Sequence, residues 1–236
     1  MNVVPMETYS QRILKGGGVV TWQRLARFRK ASRAVRQYSK SGLLDDLLDI
    51  GAADGIGLPF LKPLAKRLLS VNYYEEHSRE FKAAHPDDEI LTADARKLPL
   101  VDASFDAVVS FETLHLLGVA EERRKGLAEI YRVLRPGGLL VCSIPIEVGY
   151  SALIKLTARA ATGHQLDGMS LAMALRHCFY RFGNIEQFDK GRQVGFNAYH
   201  FVDDVASLFA VLETWSIPIP ILFPMNLLVV ARKEDR

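Results

Sequence analysis

The 236-residue chain is 49% apolar and 24% charged, a composition that can bury a large core and excludes disordered, collagen-like and coiled-coil classes. Its formal charge of +3 is unevenly spread: residues 1–40 hold nine Lys/Arg against one acid, Glu7, a balance of +8, while the remainder sits at −5. An acidic body with a basic N-terminal arm is the first feature to explain.

In chain order, residues 21–40 place Trp22, Leu25, Phe28, Ala31, Val35 and Tyr38 near one helical face, with Arg24, Arg27, Lys30 and Arg33 on much of the remainder. Residues 46–50 (DLLDI), stopped by Gly51, read as a buried parallel strand, and a helix is expected over 58–68. A second strand is expected at 69–73 (LSVNY), a second helix at 74–84, a third strand at 89–92 and a fourth at 105–111 (FDAVVSF). Leu127, Ile130, Tyr131 and Leu134 have helical spacing within 122–134, and Arg135-Pro136-Gly137-Gly138 is a stop signal. A fifth strand follows at 139–144, two helices at 150–161 and 170–181, and a last strand at 227–231. Without repeat or linker, one domain over 1–236 is expected, with 1–40 as an arm and 146–200 as a variable insertion. Strand–helix alternation means a mostly parallel α/β sheet with helices on both faces, whose ligands bind beyond the carboxyl ends of the strands.

The two cysteines, Cys142 and Cys178, form neither a disulfide framework nor a metal-ligand spacing, so no metal is expected. No window approaches the ~20 uninterrupted apolar residues of a spanning helix, and the tract 217–231 is interrupted by Pro218, Pro220 and Pro224. The first twelve residues contain no apolar stretch of signal-peptide length. A cytoplasmic setting is the expectation, with peripheral contact at a membrane left open.

The first strand runs into Asp49-Ile50-Gly51-Ala52-Ala53-Asp54-Gly55-Ile56-Gly57. Glycines here allow a sharp turn and a close backbone approach to a ligand. The spacing fits neither a P-loop nor the G-x-G-x-x-G dinucleotide turn. LLDIGAADGIG (47–57), LTADARKLPLVDASFDAVVSFETLHLL (91–117) and EIYRVLRPGGLLVCSIP (129–145), with LLVVARK near the end, stand in an order that resembles the class I S-adenosylmethionine-dependent methyltransferases. The resemblance covers roughly residues 42–145 and implies a Rossmann-like, doubly wound, seven-stranded sheet and S-adenosylmethionine as cofactor.

By that resemblance, Asp49, Gly51, Ala52, Ala53 and Gly55 surround the methionine moiety, Asp94 and the Ala95 backbone read the adenine edge, and Ser110 and Phe111 flank the sulfonium. Asn72 and Tyr73 fall at the ribose position. The chain departs from the family pattern twice. Ala53 replaces a common glycine, which is tolerable if φ there is negative. Asn72 replaces an acid that accepts from both ribose hydroxyls, so ribose binding is expected to be weaker or shared with Glu75 or Glu76. For a general base, His115, Glu112 and His200 are the candidates, with His164 beside them. His115 follows the fourth strand, and an unperturbed imidazole suits a base at neutral pH, although its Leu-His-Leu setting equally fits a packed helix histidine. The acceptor is expected to be a small or lipid-like molecule methylated on oxygen or nitrogen. An RNA or protein methyltransferase and a non-catalytic binding protein of the same fold are the alternatives. The basic helix is expected to be a lid over the pocket, and contact with an anionic membrane through 21–40 ranks above nucleic acid because aromatics are not interleaved through the basic run.

Overall fold

Strand β1 (Leu44–Ile50) shows why the middle of the sheet forms. Leu48 and Ile50 face one apolar cluster while Leu44 and Leu47 face another, so the strand is covered on both sides. The same two-sided burial repeats in β4 (Phe105–Phe111) and β5 (Leu134–Pro145), where Val108, Leu140 and Cys142 face the first cluster and Ala107, Val109 and Val141 the second. With β2 (Ala65–Asn72), β3 (Glu89–Thr92), β8 (Ala210–Ile219) and β9 (Phe223–Arg232), they make a seven-stranded sheet of order β3-β2-β1-β4-β5-β9-β8. The pairs β1–β2, β2–β3, β1–β4 and β4–β5 are parallel, and β9 is antiparallel to both β5 and β8. Strands β6 (Gln187–Asp189) and β7 (Arg192–Val194) form a separate antiparallel ribbon. This computed structural model describes residues 8–14, 18–39, 42–146, 187–189, 192–194, 196–219 and 223–234; the helices expected at 150–161 and 170–181, His164 and Cys178 lie outside them.

Helix α1 (Tyr9–Leu14) precedes α2 (Gly18–Tyr38), whose Phe28, Ala31, Ala34 and Val35 are buried on one face of the sheet. Helices α3 (Leu58–Leu61), α4 (Glu75–Ala84), α5 (Ala120–Val133) and α6 (Ala198–Ala206) follow. Leu127 and Ile130 of α5 and Phe201 and Val205 of α6 cover the face opposite α2. Chain order reverses between β1 and β4, which opens a crevice at their carboxyl ends. Among the described residues, no helix is long and apolar enough to cross a membrane.

Three elements differ from expectation. The helix expected over 58–68 is one turn, followed by a 3-10 turn at Lys62–Leu64, with β2 already begun at Ala65. Pro59 is tolerated in a first turn, but Pro63 has no N–H and its ring obstructs α continuation. Lys66 and Arg67 are exposed residues at the start of the strand, with Lys66 Nζ 2.7 Å from Asp45 and Arg67 3.1 Å from Asp46. Strand β5 begins at Leu134 and runs through Pro136-Gly137-Gly138, with the extra residues absorbed as a register shift between Phe105 and Ala107. Finally, the proline-interrupted tract near the C-terminus belongs to a hairpin in which Pro218 lies opposite Pro224, with β8 as the edge strand where proline is permitted.

Candidate functional site

The crevice is a cleft of about 610 Å³ lined by the ends of β1, β2 and β4, the loop after β3, and residues of both α1 and α2. At its floor the chain leaves β1 through Gly51, whose φ of +84° and contact with Thr113 leave no room for a side chain. Gly51 and Ala52 both direct their N–H groups at Val71 O (2.8 and 3.3 Å), which folds the loop onto β2. Gly55 closes it at φ +91° against His85.

Ala53 corrects an expectation: its φ is +52°, left-handed rather than negative. That conformation costs a residue with a Cβ about 1 kcal/mol. Asn72 supplies the compensation. Buried to 2% exposure, it accepts the Ala53 N–H at Oδ1 (2.9 Å) and donates through Nδ2 to Ala53 O (2.8 Å). Neither Glu75 nor Glu76 lines the cleft; both are exposed in the first turn of α4, and Glu75 pairs with Arg79 at 2.6 Å.

Asp49 lines the cleft at 2% exposure, and its Oδ1 has no hydrogen-bond partner among the described residues. Burial pushes its carboxyl up to about 7. Asp94 also lines the cleft and is gripped by Arg96, with Nε 2.9 Å from Oδ1 and Nη2 2.6 Å from Oδ2. That guanidinium holds the Asp94 carboxyl below its usual range against the opposing pull of partial burial. Arg96 is itself anchored by Glu122 at 2.7 Å.

At the end of β4, Phe111 and Glu112 line the cleft, and Glu112 has a left-handed φ of +52°. Its N–H reaches Ser143 O (3.0 Å) and its Oε1 accepts from Ser143 Oγ (2.9 Å), so β5 holds both its backbone and its carboxylate. Strained backbone of this kind concentrates at functional sites.

The structure therefore brings together Asp49, Gly51, Ala52, Ala53, Asn72, Tyr73, Asp94, Phe111 and Glu112 around one cleft. Gly55 and Ala95 support it from behind as buried residues outside the lining. Ser110 is fully buried and donates to Ile50 O (2.9 Å), which ties β4 to β1. His115 stands in the 3-10 turn Leu114–Leu117, its ring 5.6 Å from Phe196, and His200 lies on α6; neither lines the cleft. Cys142 is a core residue, its thiol pushed up to about 12 by burial. No group of residues suited to a metal ion occurs among the described residues.

Several lining residues escaped the sequence reading, chiefly Tyr9, Arg27 and Phe28 of the arm and Arg96 and Thr113 nearby. Arg27 is 7% exposed, its Nη2 donates to the Tyr9 hydroxyl (2.7 Å), its guanidinium lies 4.9 Å from the Phe28 ring, and its Nε has no hydrogen-bond partner among the described residues. A signal existed: Arg27 lies four residues before Ala31 and seven before Ala34, both fully buried, so the helical register points it inward. Helix α1 is drawn over the loop by Asp54, which accepts from Ser10 N–H (2.5 Å) and Ser10 Oγ (2.7 Å).

Residues 48–142 match the family model described as a methyltransferase domain. A probable S-adenosylmethionine-dependent methyltransferase of Mycolicibacterium smegmatis is 32% identical over 106 residues, 45% of this chain and 40% of that protein. A putative methyltransferase of Encephalitozoon cuniculi is 29% identical over 171 residues, 71% of this chain and 77% of that one. The chain thus spans about 40% of the length of the first curated relatives it matches. In fold it is similar to the N-methyltransferase NodS of Bradyrhizobium japonicum in complex with S-adenosyl-L-homocysteine, with a TM-score of 0.60 at 16% identity over 96% of this chain and 99% of that one. The ordered motifs, the match over residues 48–142 and the crevice between β1 and β4 identify a methyltransferase domain in this chain, with the sheet architecture of the class I S-adenosylmethionine-dependent enzymes.

Proposed function

We propose that this protein transfers the methyl group of S-adenosylmethionine to an oxygen or nitrogen atom of a small or lipid-like acceptor. One observation carries the reading: two buried groups, the acid Asp49 and the base Arg27, line the same cleft, each with a polar atom lacking a partner among the described residues. Buried polar atoms left unsatisfied are costly, and an amino-acid zwitterion would satisfy both. The methionine part of the cofactor carries that ammonium and carboxylate, so the residues present fit it. Asp49 would accept from the ammonium and Arg27 donate to the carboxylate. The backbone of the loop 51–55 would approach closely, and Asp94, kept ionised by Arg96, can only accept, as the adenine amino group requires. When bound, S-adenosylmethionine supplies a methyl group already activated on a sulfonium.

What remains for the chain is alignment, exclusion of water and removal of a proton. Phe28, Phe111, Leu116 and Leu117 make an apolar wall of the cleft, which suits a small or greasy acceptor. Glu112, with its carboxylate oriented by Ser143, is the cleft-lining candidate for taking the acceptor's proton. Incubation with methyl-labelled S-adenosylmethionine and separated small-molecule, lipid, RNA and protein fractions tests the reading. Label is expected in the small-molecule or lipid fraction, with Glu112→Gln lowering the rate about 100-fold. Label in RNA or protein would instead select a macromolecular acceptor, and no label in any fraction would select a non-catalytic binding protein.

A further inference from the structure

We infer that Asn72 is a positioning residue: its carboxamide locks Ala53 in the left-handed conformation of the cofactor loop and is not the protein's grip on the cofactor ribose. The inference rests on the cofactor reading above. Ala53, at φ +52°, stands between two glycines that also have positive φ, Gly51 and Gly55. The glycines adopt that region without steric cost, whereas Ala53 needs an outside tie. Asn72 supplies it by pairing both polar atoms with both halves of one residue's backbone, Oδ1 with Ala53 N–H (2.9 Å) and Nδ2 with Ala53 O (2.8 Å).

Only a carboxamide can close this ring, because it presents a donor and an acceptor side by side. A carboxylate accepts only, so an acid at 72 would set one of its oxygens against Ala53 O. The strand end gives Asn72 little freedom to leave: it is 2% exposed and its own carbonyl accepts the Ala93 N–H at 2.9 Å. After the pairing, the carboxamide retains one N–H hydrogen and one oxygen lone pair. That cannot accept from both hydroxyls of a vicinal diol. The alanine at 53 and the asparagine at 72 therefore form one unit, each accounting for the other.

The sign of one substitution separates clamp from ribose grip. If Asn72 gripped the ribose, Asn72→Asp would tighten S-adenosylhomocysteine, since a carboxylate accepts from both hydroxyls. As a clamp, the same change is expected to weaken binding about tenfold in calorimetric titration at neutral pH. In an Ala53→Gly background it is expected to cost less than about threefold, because glycine holds the conformation unaided. Amide exchange on the ligand-free protein gives an independent reading. The Ala53 N–H is expected to lose protection in Asn72→Ala while Val108 and Val109 of β4 stay protected, which also verifies folding. Equal or tighter binding by Asn72→Asp, or unchanged Ala53 protection in Asn72→Ala, overturns the inference. Wild-type protein that bound no S-adenosylhomocysteine would defeat the cofactor reading alone, and the exchange result would still decide the clamp.

Discussion

Asp49 titrates in a range that solution chemistry can reach. Its carboxyl is pushed up to about 7 by burial, above the ~3.9 of an unfolded aspartate. The folded protein without ligand therefore holds the proton where the unfolded chain has lost it. Stability from this group is fullest at low pH and falls as pH rises from about 4 through 7. A bound ammonium favours the ionised form and reverses the trend for the complex. Thermal melts with and without S-adenosylhomocysteine are expected to show a larger ligand-induced shift at pH 8 than at pH 6. In Asp49→Asn this pH dependence should flatten, since neither the ligand's amino nor its carboxyl group titrates in that window. Equal profiles for both proteins would remove Asp49 from ammonium recognition. The role of Arg27 depends on its being held at 7% exposure between Tyr9 and Phe28.

At the level of elements, legibility followed burial. Strands β1 and β4 are covered on both faces, so they appear in the sequence as short apolar runs with clear ends, and the motif residues at those ends could be named. Strand β2 was half-hidden because Lys66 and Arg67, at its start, bond laterally to Asp45, Asp46 and Glu89 and mimic a solvated helix. Strand β8 is an edge with half-exposed residues and irregular register, so its periodicity is weak. Helix α2 was visible as an amphipathic stripe, yet counting only apolar residues concealed Arg27 within it. Its apolar face is committed to the sheet, which leaves Arg29, Arg33 and Arg36 exposed. Any contact of α2 with an anionic surface would then be electrostatic, at about 1 kcal/mol per basic residue near the surface. Wild-type protein is expected to sediment with phosphatidylserine vesicles at low salt and to release at high salt. A variant with all three arginines changed to glutamate should not sediment, yet should bind S-adenosylhomocysteine normally. Absence of wild-type retention would leave α2 its packing on the sheet and its part in lining the cleft.

Across the whole molecule, the basic arm and the C-terminal hairpin meet on one face of the sheet. Lys30 Nζ reaches Ser216 O at 3.5 Å, and Arg232 Nη2 donates to Tyr38 O at 2.8 Å. The arm is thus a structural layer of the fold; among its described basic residues Arg29, Arg33 and Arg36 are exposed while Arg27 turns into the cleft. A fold shared at a TM-score of 0.60 with only 16% identity shows that the architecture persists through wide sequence change. The residues around the crevice decide what occupies it. That occupant is the central claim, and calorimetric titration with S-adenosylmethionine and S-adenosylhomocysteine tests it most directly. Saturable binding of both at one site per chain, weakened at least tenfold by Arg27→Gln through loss of a charged hydrogen bond, is the predicted result; no heat with either ligand would contradict it.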